Sequence, residues 1–141
     1  MDADYIKDLS KEEKLAFISI FCRLIKADGN IDEDEVRFLK TTAAHFGVDN
    51  SAVVDIIRNA GSIDCVQEAR KITGRHHALQ LIKELCVLAN VDNELHDAEL
   101  DIIIDCAEAM KVEEQKVILI NRWVLDNRIL DKVGKIMLEE D

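Results

Sequence analysis

Five carboxylates fall within eight residues in the segment Asp28-Gly29-Asn30-Ile31-Asp32-Glu33-Asp34-Glu35. Oxygen donors at this density suit a hard divalent cation such as Ca²⁺ or Mg²⁺. A second segment, Asp92-Asn93-Glu94-Leu95-His96-Asp97-Ala98-Glu99, repeats the pattern in weaker form. Asp28 and Glu35 of the first segment recur as Asp92 and Glu99 of the second. The spacing D-G-x-I-x-x-x-E also fits the second half of an EF-hand loop. In that frame the first and third ligand positions would be Leu24 and Lys26, or Leu88 and Asn90. Leucine cannot ligate a cation and lysine repels one, so an ordinary EF-hand is excluded. Two alternatives stand. Asp32 and Glu35 can form a capping box that starts a helix, with Asp28 bonding across the turn. Alternatively, carboxylates from one or both turns ligate a metal. Since Ca²⁺ takes about 6–8 oxygens, two turns brought together would hold it better than one.

The elements that must position these turns are helical and are written twice. A 64-residue offset aligns Leu15–Val48 with Leu79–Val112 without a gap. Leu15/Leu79, Ile18/Ile82, Cys22/Cys86, Leu24/Leu88, Ala43/Ala107 and Val48/Val112 are identical, in addition to the two acidic pairs. Such self-similarity is the mark of a repeat architecture. Ser10-Lys11-Glu12-Glu13 is a capping box opening a helix whose stripe is Leu15, Ile18, Cys22 and Ile25. Val36, Leu39, Ala43 and Phe46 form the next stripe, which stops at Gly47. Asp49 can cap a third helix that carries Val53, Val54 and Ile57 and ends near Gly61. A short helix around 64–72 then leads to Gly74 and the second unit. There, helices are expected over about 75–91, 97–110 and 113–125. The run Ile102-Ile103-Ile104 broadens the apolar arc of its helix, which predicts a central place between the two halves.

The expected fold is therefore all-α: a compact bundle of about seven to eight helices built from two pseudo-symmetric repeats. A chain of 141 residues suggests a single domain over 1–141. It divides into repeat one at about 10–60, a connector at 61–74, repeat two at about 75–125 and a C-terminal helix at 126–138. The absence of proline, the five glycines and a 4% aromatic content exclude a β-sandwich or barrel. A net charge of −11 disfavours nucleic acid and anionic membranes as partners. Neither a secretory signal nor a membrane-spanning apolar run is present, so a cytoplasmic location is expected without direct membrane insertion. Cys22, Cys65, Cys86 and Cys106 form no CxxC pair and read as reduced, mostly buried thiols. No nucleophile elbow, phosphate loop, dinucleotide fingerprint or HExxH occurs, so an enzyme is not expected.

At the acidic turns the chain resembles the tellurite-resistance TerB-like family. The resemblance rests on Ala27-Asp28-Gly29-Asn30-Ile31 with Glu35, and on the degenerate copy Asp92-Asn93-Glu94-Leu95 with Glu99. It spans about Leu15 to Leu125. It implies an all-helical domain of about seven helices in two pseudo-symmetric halves. It also implies acidic surface residues that chelate a divalent metal and a place in bacterial stress-response or membrane-linked complexes. A related domain stands beside J-domains in co-chaperones, where it is a protein-interaction module without a metal. Carried over by position, the metal candidates are Asp28, Asp32, Glu35, Asp92 and Glu99, with Ca²⁺ or Mg²⁺ preferred to Zn²⁺. His96 in place of Asp32, and Asn93 in place of glycine, depart from the family pattern in the second turn; imidazole favours Zn²⁺-like ions.

Two further features invite function. Arg70-Lys71 and Arg75-His76-His77 form the only basic cluster, suited to a phosphate or acidic partner, or simply balanced by acidic neighbours. The stripe Ile129, Leu130, Val133, Ile136 and Met137 is expected to dock on its own domain with Trp123 as anchor. The alternative is an apolar face offered to a protein partner, including a homodimer through the C-terminal helix.

Overall fold

The computed structural model describes residues 4–28, 31–90 and 96–139, the side chain of Asp28 excepted. Those residues form seven α-helices: α1 Lys11–Ile25, α2 Glu33–Phe46, α3 Asn50–Arg58, α4 Cys65–Ala69, α5 Arg75–Ala89, α6 Asp97–Ala109 and α7 Glu114–Met137. Short 3₁₀ turns lie at Asp4–Asp8, Lys26–Asp28 and Ala60–Ser62, and no strand occurs among the described residues. The fold is all-α.

Local chemistry sets the helix ends. Ser10 Oγ accepts the Glu13 N–H at 3.1 Å while Glu13 Oε1 accepts the Ser10 N–H at 3.0 Å, closing the capping box that starts α1. Gly47 stops α2 with φ of 75°, in the left-handed region that glycine enters without a Cβ penalty. The Asp64 carboxylate receives the N–H groups of Val66 and Gln67 and starts α4. Asp49 holds the N-cap position of α3 but makes no side-chain cap bond. That helix ends at Arg58, ahead of Gly61.

Lys11 and Arg75, Glu33 and Asp97, and Asn50 and Glu114 stand 64 residues apart and start three pairs of helices. Several aligned apolar positions share one fate: Phe17 and Leu81, Ile18 and Ile82, and Leu39 and Ile103 are all fully buried.

The central helix is α1, not the α6 that the Ile102-Ile103-Ile104 run suggests. Ten of its residues are buried, and it packs against α2, α3, α4 and α5. In α6 only Ile103, Cys106 and Ala107 are buried, while Ile102 and Ile104 are half-buried on its flanks. The run Ala16-Phe17-Ile18-Ser19-Ile20-Phe21-Cys22 is apolar nearly all round, with only a serine to accommodate, and that is what a surrounded helix requires. Phe17 anchors it: its ring lies 5.8–6.1 Å from those of Tyr5, Phe21 and Phe46.

The C-terminal stripe differs from expectation twice. A single helix, α7, runs through 125–126, where a separate C-terminal helix was expected to begin. Leu125-Asp126-Asn127-Arg128 contains neither proline nor glycine, and the Asn127 side chain bonds back to the Trp123 carbonyl at 3.1 Å, so nothing breaks the ladder. The stripe also does not dock. Val117 and Val124 are buried against the body, whereas Trp123 is 52% exposed and Leu130 67%. Beyond Val124 no residue of α7 is fully buried among the described residues. None of the described helices is long and apolar enough to cross a membrane.

Candidate functional site

Asp32 is the N-cap of α2. Its backbone is extended, its Oδ1 accepts the Glu35 N–H at 2.8 Å, and Glu35 Oε1 returns the favour to the Asp32 N–H at 3.1 Å. Both carboxylates therefore satisfy amide donors that a helix start leaves unpaired. In the second turn Glu99 Oε1 accepts the His96 N–H at 3.3 Å, so Glu99 repeats the part of Glu35. Glu13, Glu35 and Glu99 thus do one job at three helix starts. Among the described residues, no group of three or more His, Cys, Asp or Glu side chains is arranged to hold a metal. Of the five candidate ligands, Asp32, Glu35 and Glu99 are placed, each in a cap. The Asp28 side chain and Asp92 lie outside the described residues.

The basic cluster is dispersed. Lys71 pairs with Glu68 at 2.8 Å, three residues back on the same turn. Arg75 reaches Glu113, also at 2.8 Å, at the start of α7. His77 Nδ1 lies 3.4 Å from Glu13 Oε2, and His76 points elsewhere, to the rim of a groove between α5 and α7. Adjacent helical residues diverge in this way, so no joint anion site forms. His45 sits in the last turn of α2, as its position in the sequence suggests.

The polar centre that the sequence hides is Glu13. Beyond its capping bonds, its Oε2 accepts the Thr73 N–H at 3.0 Å and the Thr73 hydroxyl at 3.3 Å, across 60 residues of chain. Burial pushes this carboxyl up, but the N–H groups of Ser10 and Thr73, the Ser10 hydroxyl and nearby His77 pull harder, so it ionises below its ordinary value. The capping-box pattern Ser10-x-x-Glu13 signals half of this role. The link to Thr73 carries no sequence signal. It is structural glue, fastening the connector to the head of α1.

The described surface offers one extended apolar feature. Leu119, Trp123, Leu130, Val133 and Met137 lie along α7 at alternating steps of three and four, with Asp126 filling the gap, and each of the five is between 44% and 76% exposed. This is the heptad spacing of a coiled-coil seam. It runs roughly 27 Å, at 1.5 Å per residue. Ile118, Ile129 and Ile136 widen it on one side. The groove of about 500 Å³ between α5 and α7 opens at its N-terminal end, under Trp123, with Lys83 and Lys116 on its walls.

Residues 3–59 match the model of a family described as tellurite resistance protein TerB. The matched stretch takes in α1, α2, α3 and the first acidic turn. No curated protein and no solved structure matches the chain.

Proposed function

We propose, on the premise that residues 3–59 assign the chain to a TerB-like family, that this helical module is a non-catalytic adaptor in a tellurite-resistance-type stress response. It works by docking a partner helix on α7. The exposed heptad seam carries this reading. An exposed apolar stripe of this length is costly for an isolated domain and is the usual signature of an interaction site.

The partner we commit to is a second copy, paired antiparallel. In a parallel pair Asp126 would face its own copy across the seam. An antiparallel pair centred on residue 128 sets seam against seam, with Asp126 opposite Leu130, Trp123 opposite Val133 and Leu119 opposite Met137. Light scattering across a concentration series tests this. The wild-type chain is expected to dimerise, with a melting temperature that rises with concentration. Leu130→Asp with Val133→Asp is expected to stay monomeric, with unchanged helicity and a melting temperature independent of concentration. A wild-type monomer at every concentration would overturn the homodimer.

Cation binding by Asp28, Asp32, Glu35, Asp92 and Glu99 is the second part of the proposal, supported by the family resemblance of the turn. A cation held 100-fold above its dissociation constant should add about 2.7 kcal/mol of stability. Melts with Ca²⁺, Mg²⁺, Mn²⁺ and Zn²⁺, repeated on Asp28→Asn and Asp92→Asn, check it. Shifts that survive both substitutions, or no shift with any ion, count against a metal.

A further inference from the structure

The four cysteines are all free, but they are not equivalent. Cys86 is buried on α5, and burial alone pushes its thiol up to about 12. Cys65 stands on α4, which packs against both α1, the helix of Cys22, and α6, the helix of Cys106. Cys65 opens α4 and is the only half-buried one, whereas Cys106 is fully buried on α6. The Cys106 Sγ lies 3.9 Å from the Cys65 carbonyl oxygen.

The two thiols of this pair are polarised in opposite directions. The nearby Cys106 side chain lowers the Cys65 thiol, against the burial that raises it, and the Arg23 guanidinium adds to the lowering. The Cys65 side chain, together with burial, raises Cys106. A half-buried thiol shifted toward the thiolate, beside a fully buried one that keeps its proton, is the arrangement of an attacking and a resolving cysteine. Burial raises the Cys22 thiol to about 11, so Cys22 makes a poor competitor.

From this placement we infer that Cys65 and Cys106 form a reversible disulfide when the protein meets a hydroperoxide, cross-linking the connector helix α4 to α6. The Cys65 thiolate attacks one peroxide oxygen; the O–O bond breaks, the sulfur becomes a sulfenic acid, and the leaving hydroxide or alkoxide takes up a proton. Cys106 sulfur then attacks Cys65 sulfur, and the Cys106 proton leaves with the sulfenic oxygen as water. Two sulfurs are oxidised by two electrons in all, and the peroxide is reduced by two. Dithiothreitol reverses the bond by thiol–disulfide exchange. The bridge closes a loop between residues 65 and 106, and such closure stabilises mainly by restricting the unfolded chain.

The full-length chain is treated with hydrogen peroxide, alkylated and mapped by mass spectrometry without reduction. The expected result is a 2 Da loss, a single cross-linked peptide pair containing Cys65 and Cys106, a raised melting temperature and full reversal by dithiothreitol. Cys65→Ser should abolish the loss, and Cys22→Ser should leave it intact. Since Cys106→Ser places a hydroxyl in the core, Cys106→Ala serves as a second variant, and mapping of the wild type decides the matter without either. A bridge between Cys22 and Cys65, over-oxidation of Cys65 with no bridge, or no reaction at Cys65 would each overturn the inference.

Discussion

Two helix ends in this molecule are built from the same hydrogen bond and different residues. At the end of α2 the Val48 N–H bonds to the Ala43 carbonyl at 2.8 Å, and Gly47 turns the chain at φ 75°. At the end of α6 the Val112 N–H bonds to the Ala107 carbonyl, again at 2.8 Å, but the residue that turns the chain is Lys111 at φ 61°. Glycine enters this region freely, whereas a residue with a Cβ is strained there. The second turn forms all the same, because Ala107 and Val112 are buried on either side of it, as Ala43 is in the first. Packing dictates the bend, and the turn residue sets only its cost. The helix starts teach the same lesson. α1 and α2 carry side-chain caps at Ser10 and Asp32, while α5 begins at Gly74 with no side-chain cap at all.

If packing dominates in both halves, the paired core positions should respond alike. Leu39→Ala and Ile103→Ala, each fully buried, should each cost about 2–5 kcal/mol in urea unfolding. A cost below about 1 kcal/mol at one of them would show that its half is loosely packed and break the parallel.

The next largest effect concerns the cap that has no counterpart. Glu13→Gln should cost about 1–3 kcal/mol, because the Thr73 and Ser10 N–H groups lose a charged acceptor. The pH dependence has a definite sign. The folded carboxyl ionises below its unfolded value, so its contribution is complete above the ordinary 4.5 and is lost as pH falls through the lower folded value. Acid melts of the wild type should fall away in that window, and those of Glu13→Gln should be flatter.

The smallest effects test the turns themselves. Gly47→Lys should cost about 1 kcal/mol from backbone strain alone, since an added Cβ meets nothing within 4 Å. Lys111→Gly should stabilise by about 0.5 kcal/mol, the relief of strain being partly offset by the greater freedom of glycine in the unfolded chain. Equal and negligible shifts for both would mean that the two turns owe nothing to residue type.

Much of this was legible in the residues. The capping boxes at Ser10-Glu13 and Asp32-Glu35, the stop at Gly47 and the periodic stripes mark helices α1 and α2 directly, because caps and stripes are interactions within a few residues of chain. In the acidic turn the alternative of helix capping was visible in the Asp32/Glu35 spacing, and it is the part those two side chains take. Other features were not legible. An apolar stripe reads the same whether it meets a neighbouring helix or water. Thus the widened arc of α6 and the stripe of α7 both suggested burial, yet α1 is the surrounded helix and the end of α7 is bare. Thiol pairing between Cys65 and Cys106 spans two elements and has no spacing rule.

The sequence by itself determined the helical class, most of the places where helices begin and end, though not the continuity of α7 through 125–126, and which residues are apolar enough to be core. These depend on local hydrogen bonds and on periodicity along one strand of chain. Only the tertiary structure decided which helix is surrounded, which stripe stays exposed, that Thr73 closes onto Glu13, and that two cysteines 41 residues apart become neighbours. Those outcomes depend on how many faces compete for a limited interior, a property of the whole chain that no window of it contains.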